Sequence, residues 1–87
     1  MNIEYTAAAV QDLENLPPVV ARRIVGKMFW FAKQENPLSF AKKLTDTKLG
    51  THRFRVGDYR VLVDVKGGKI RILLVLTVQH RKDVYRL

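Results

Sequence analysis

In "HRFRVGDYRVLVDV", running from His52 to Val65, the side-chain type changes at every second residue on either side of one Gly-Asp step. His52, Phe54 and Val56 share one side of an extended chain, and Arg53 and Arg55 share the other. Past the step, Tyr59, Val61, Val63 and Val65 alternate with Arg60, Leu62 and Asp64. A period of two predicts strands, and Gly57-Asp58 suits a tight reversal between them. The expected unit is an antiparallel pair with Arg53 and Arg55 projecting together. Arg60, just past the turn, joins them if the register allows.

Downstream, Gly67-Gly68 suits a two-residue hairpin turn, because glycine adopts positive φ cheaply. "IRILLVLTV" (70–78) is apolar on both faces over most of its length, as expected of a strand buried on both sides. The chain then ends in "VQHRKDVYRL" (78–87), which places His80, Arg81 and Tyr85 at or beyond the C-terminal end of that strand.

Upstream, "NIEY" (2–5) alternates weakly and reads as a short first strand. Thr6 is a candidate N-cap for a helix to Leu16, with Ala9, Val10, Leu13 and Leu16 on one stripe. Pro17 and Pro18 end that helix and pre-set the first turn of the next. The second helix is expected to reach Lys33, with Val20, Ile24, Met28 and Phe31 facing the core and Val25, Phe29 and Ala32 widening the stripe. Three consecutive residues span about 200° of a helix, so Phe29, Trp30 and Phe31 cannot all face one core, and Trp30 is expected to point elsewhere. Asn36-Pro37 closes the helix, and "PLSFAKKLTDTKLG" (37–50) has room for one short helical turn. The expected order is β-α-α-β-β-β: a two-helix hairpin packed on a mainly antiparallel sheet, an α+β fold. Residues 1–87 are expected to form a single domain.

Composition narrows the chemistry. The 87 residues contain no cysteine, which excludes a disulfide scaffold, a thiolate zinc site and a cysteine nucleophile. Two histidines do not suggest a metal site. No run suits a membrane span and the start has no signal-peptide layout, so a cytoplasmic protein is the expectation. Net charge is +8, and it is unevenly spread. Residues 1–47 carry six Lys/Arg against five Asp/Glu, whereas residues 48–87 carry ten against three. That asymmetry fits a polyanionic partner for the C-terminal half, or simply a soluble basic surface.

The local patterns leave alternatives open. "KGGK" (66–69) lacks the spacing and the following helix of a phosphate loop and reads as a turn. Three guanidiniums on one sheet face repel one another, yet their planar forks match phosphate oxygens. The other reading is a solvated edge strand kept basic against aggregation. Histidine is the side chain whose unperturbed pKa of about 6.5 suits proton transfer near neutral pH, which makes His80 a candidate. Tyr85 can orient a substrate or exchange a proton. Equally, Tyr85 can pack on the domain while His80 caps the strand.

Taken together, "HRFRVGDYRVLVDV" (52–65), "HRKDVYR" (80–86) and the upstream "NPLSFAKKL" (36–44) resemble the RelE/ParE superfamily of toxins from toxin–antitoxin pairs, the ending being closer to the RelE branch. The resemblance implies a RelE-like fold and a metal-independent, ribosome-dependent mRNA endoribonuclease that needs no cofactor. It implies an acidic antitoxin as cognate partner, with the ribosome and mRNA as targets and no membrane. The implied chemistry is attack of a ribose 2′-hydroxyl on the adjacent phosphate. By position, Arg53, Arg55, Arg60 and Arg81 would bind phosphate and stabilise the transition state. Where some relatives carry lysine or glutamate on the strand, this chain has arginine, which stays protonated. Proton transfer is therefore expected of His80, with Tyr85 orienting the substrate or activating the 2′-hydroxyl. The rival expectations are a ParE-like inhibitor of DNA gyrase, a non-catalytic basic ribosome- or RNA-binding domain, and an inactive toxin kept for its antitoxin complex.

Overall fold

The structure, a computed structural model, describes the backbone of residues 1–84 and the side chains of residues 1–82. Tyr85 therefore lies outside the described residues. The elements in chain order are β1 (Asn2–Tyr5), α1 (Ala7–Glu14), α2 (Pro18–Lys33), β2 (Ala41–Lys43), β3 (His52–Val56), β4 (Tyr59–Lys66), β5 (Ile72–His80) and α3 (Arg81–Val84). Turns of 3-10 helix at Pro37–Phe40 and Thr47–Leu49 flank β2. Five strands form one mixed sheet in the order β1-β5-β4-β3-β2, with β1 parallel to β5 and every other pairing antiparallel. This is the expected α+β architecture of a helical hairpin on a mainly antiparallel sheet.

Local chemistry explains the joints. Thr6 caps α1, its hydroxyl accepting from the Ala9 N–H at 3.1 Å. The same hydroxyl donates to the Leu76 carbonyl at 2.8 Å, so one side chain both starts the helix and docks it on β5. Asp12 makes a second tie: its carboxylate accepts from the Thr77 hydroxyl at 2.7 Å and from the Val78 N–H at 2.9 Å. These bonds gather around a bulge in β5. Val63 pairs with Val75 but Leu62 pairs with Thr77, which leaves Leu76 as the extra residue.

The core lies between the helices and one face of the sheet. Ala9 from α1 and Ile24, Met28, Phe31 and Ala32 from α2 pack with Phe54, Val56, Val61, Val63, Leu73, Val75 and Val78. Phe31 stacks on Phe54 with ring centroids 5.0 Å apart. Burying a side chain of this size is worth about 1.5–3 kcal/mol, so this face carries most of the apolar stabilisation.

Several local expectations need correction. Val25 and Phe29 do not widen the apolar stripe; they are 38% and 54% exposed, because each lies about 100° around the helix from Ile24 or Met28. The segment 37–50 contains two helical turns and a strand, not one turn. β4 and β5 are joined through residues 67–71, since pairing resumes only at Lys66 with Ile72; the Gly-Gly step is not a two-residue turn. Gly67 alone of that pair has positive φ, at 98°. β5 begins at Ile72, and its burial alternates between full and partial. The most continuously buried strand is β4, where Arg60 to Val63 are all buried.

Candidate functional site

Gly57, in the left-handed region at φ 58°, lets two residues reverse the chain between β3 and β4. The resulting register sets Arg55 directly opposite Arg60 and Arg53 opposite Leu62. On the other flank of β3, Lys42 of β2 lies opposite Arg53. Lys42, Arg53, Arg55 and Arg60 consequently share the face of the sheet turned away from the core. Arg53, Arg55 and Arg60 line one cavity of about 310 Å³, together with Ser39, Phe40, Ala41 and Lys42. Among the described residues, no carboxylate lines it.

The electrostatics of this cavity are unusual for a stable surface. Two like-charge pairs stand directly opposed across strands, an arrangement that costs stability. Arg60 is only 7% exposed, and its Nη1 has no hydrogen-bond partner among the described residues. A buried donor left without a partner costs about 1–3 kcal/mol. Arg55 is exposed and restrained by its Nε, which donates to the Gly57 carbonyl at 3.3 Å. The cavity therefore presents guanidinium forks at three depths with no counter-charge among the described residues. A phosphate or another oxyanion matches that donor set.

His80 sits differently. It pairs with Tyr59, while Gln79 pairs with Arg60, so the His80 side chain lies on the face opposite to the arginines. Its ring meets Tyr59 edge-on, with centroids 5.1 Å apart. Its Nδ1 accepts from the Lys82 N–H at 3.1 Å, which opens α3. Accepting that bond leaves Nδ1 unprotonated and any ring proton on Nε2. Arg81 is exposed, and its N–H donates to the Asp58 carbonyl at 2.6 Å. This bond ties the end of β5 to the β3–β4 turn. The structure thus gathers Arg53, Arg55 and Arg60 in one cavity, brings Arg81 to the same end of the sheet, and does not bring His80 to their face.

A family model described as the ParE toxin of the type II toxin–antitoxin system parDE matches residues 3–85. The chain belongs to this toxin family. It is 33% identical over 84 residues to Toxin RelG of Mycobacterium tuberculosis, covering 97% of this chain and 94% of that protein. It is 31% identical over 86 residues to Toxin RelE of the same organism, covering 99% and 87%. The solved toxin–antitoxin complex RelBE2 of that organism matches with a TM-score of 0.78 at 31% identity, over 92% of this chain and 96% of that one. A RelB–RelE antitoxin–toxin complex from Methanococcus jannaschii, at 24% identity and a TM-score of 0.66 over 95% of each chain, shares the fold. The resemblance to the RelE/ParE superfamily is borne out. Among the described residues, no helix is long and apolar enough to cross a membrane.

In this RelE/ParE toxin, sequence reasoning passed over Lys42 and the wall made by Ser39 and Phe40. Lys42 reaches the arginine face only because Ala41–Lys43 pairs with β3, and a three-residue strand has too little length to show a period. His52 stands on the core-side face, opposite Val63. Its Nδ1 lies 3.0 Å from the Thr51 hydroxyl. Burial holds its pKa below the usual value, with the charges of Lys43 and Arg71 adding to the effect.

Proposed function

We propose that this toxin is a ribosome-dependent mRNA endoribonuclease that inhibits translation, and that a cognate acidic antitoxin silences it. The observation that carries the reading is Arg60: a buried guanidinium whose Nη1 has no partner among the described residues, directly opposite a second arginine. A scissile phosphate would supply the missing acceptor and relieve the repulsion between Arg55 and Arg60. The kinship with Toxin RelE and Toxin RelG supports the same direction. Solved relatives in complex with antitoxins support the partner, and the net charge of +8 suits an acidic one.

In the proposed reaction the ribose 2′-oxygen attacks the adjacent phosphorus. A P–O bond forms to it, and the bond to the 5′-oxygen of the next nucleotide breaks. The 2′-hydroxyl loses a proton and the leaving oxygen gains one. Arg53, Arg55 and Arg60 would neutralise the charge that builds on the phosphoryl oxygens, a stabilisation that acts in the transition state. Arg81 would hold a neighbouring phosphate at the end of the sheet. Proton movement is assigned to Tyr85, carried over from the resemblance. His80, with Nδ1 engaged by Lys82 and its ring on the other face, is assigned to positioning α3.

Mapping of RNA ends on translating ribosomes tests the reading. Wild-type toxin should produce cuts within codons, and Arg60→Met should abolish them. Intact mRNA with accumulation of cleaved DNA–gyrase complexes would overturn the nuclease reading in favour of a ParE-like gyrase inhibitor. Undiminished cutting by Tyr85→Phe would remove the assignment of proton transfer to Tyr85.

A further inference from the structure

A second groove lies between the middle of α2 and the β3–β4 turn. It encloses about 460 Å³, and its lining includes Arg22, Arg23, Gly26, Lys27, Trp30 and Arg55. Four of these six are cations, and no carboxylate lines the groove among the described residues.

Gly26 is the informative residue. It occupies the interior of a 16-residue helix, where glycine is a poor choice because it gives up more backbone freedom than alanine. A Cβ built at Gly26 would meet nothing within 4 Å. No contact among the described residues therefore requires glycine. A glycine at a position with no such steric reason fits close approach of another molecule to the helix backbone. Trp30 forms the adjoining wall at 44% exposure. It is held edge-on against Phe31 and Phe40, at centroid distances of 5.7 and 5.2 Å, and Lys27 Nζ sits 4.4 Å from its ring centre. The wall is aromatic, fixed and next to a cation.

Arg55 connects this groove to the arginine cavity, since it lines both. A ligand with regularly spaced negative charges can therefore pass from one to the other around the β3–β4 turn. An acidic peptide would also meet the cations. Continuity with the Arg60 cavity and the apolar wall at Trp30 favour a nucleic-acid strand, whose bases and sugars pack on aromatics while its phosphates track the positive groove.

We infer that the α2 groove is a second RNA subsite. A single-stranded segment flanking the bond held by Arg53, Arg55 and Arg60 runs past Arg55 and over Gly26. Its phosphates meet Arg22, Arg23 and Lys27, and a base or sugar rests against Trp30. This inference rests on the RNA reading of the arginine cavity, deepens it, and can fail separately from it.

The test measures binding of purified full-length toxin to labelled 2′-O-methyl RNA, which lacks the attacking hydroxyl, in lengths of three and ten nucleotides. Gly26→Met fills the groove without removing charge, and it places a better helix former in α2. It should weaken the ten-nucleotide RNA about tenfold and leave the three-nucleotide RNA unchanged. The double variant Arg23→Ala/Lys27→Ala should lower the steepness of the salt dependence by about 1.4, two contacts at roughly 0.7 each. Wild-type affinity for the long RNA in both variants, with loss of binding in Arg53→Ala, overturns the groove and leaves the RNA reading standing. Absence of binding to either RNA by the wild type overturns the groove, and the nuclease reading then stands or falls on the mapping of RNA ends on translating ribosomes. If the groove variants lose affinity only for an acidic antitoxin peptide, the groove belongs to a protein partner and the inference fails.

Discussion

Replacing Arg60 by methionine should make this toxin more stable while removing its function. Arg60 is 7% exposed, its Nη1 lacks a partner among the described residues, and Arg55 stands directly opposite. Relief of the unpaired donor is worth about 1–3 kcal/mol. Loss of the opposed like charge adds about 0.2–1 kcal/mol, discounted because Arg55 is solvent-exposed. Methionine is unbranched and adaptable, so it keeps much of the packing now made by the arginine stem. The smallest expected net gain is about 1 kcal/mol, which raises Tm by about 4–8 °C in a domain of this size. Thermal and urea denaturation in phosphate-free, low-salt buffer measures it. A second arm adds inorganic phosphate, which should stabilise the wild type by mass action, about 2.7 kcal/mol at a hundred times its Kd, and leave Arg60→Met unmoved. A lower Tm for Arg60→Met would refute the argument, because the guanidinium would then be a satisfied structural group. Equal stabilisation of both proteins by phosphate would place the anion elsewhere.

Asp12→Ala should destabilise the fold by about 1–3 kcal/mol, because the Val78 N–H and the Thr77 hydroxyl both lose their acceptor. Asp12→Asn, which keeps one acceptor oxygen, should cost less in the same urea titration. His52 has its folded pKa held below 6.5, so between the two values the unfolded chain binds more protons than the folded one. Its contribution is complete above the unfolded value and is lost as pH falls through the folded one. A pH series of Tm should therefore decline less on acidification in His52→Asn than in the wild type. Tyr5 has a buried hydroxyl without a partner among the described residues, and burial raises its pKa above 10.0. Tyr5→Phe should be neutral or stabilising by up to about 1 kcal/mol. Because the unfolded tyrosine ionises first, the variant should also lose part of the alkaline destabilisation seen as pH rises past about 10.

What was legible in the sequence was what depends on local period and turn chemistry. Alternation in 52–65 and the Gly57-Asp58 reversal fix β3, β4 and their register, and that register alone sets Arg55 against Arg60. The side of the sheet on which His80 stands was not legible. Strict alternation from Leu73 and Val75, which oppose Val65 and Val63, would place Val78 and His80 on the arginine face. The bulge at Leu76 shifts the pairing by one residue and sends both to the core side, opposite Val61 and Tyr59. The bulge is held by partners far away in the chain, Thr6 and Asp12, so no window around β5 contains the cause. The five-residue connection after Lys66 was hidden for a similar reason: a Gly-Gly step marks a bend but does not say where pairing resumes.

Two local rules are broken in this chain without compensation among its described residues. A buried arginine lacks a partner among the described residues and faces another arginine, and a mid-helix glycine has open space where its side chain would be. Sequences that fold well are consistent across levels, and breaches of that consistency concentrate where function is placed. The glycine alone has an ordinary explanation, as a neutral substitution on an exposed helix; the arginine, being buried, cannot be read as solvated charge. The two breaches are not independent in space. The cavity around Arg60 and the groove around Gly26 share Arg55, on opposite sides of a turn that Gly57 makes possible. One extended polyanion crossing that turn would satisfy the donors of the first and occupy the opening of the second, which is why the two are read as parts of a single RNA path.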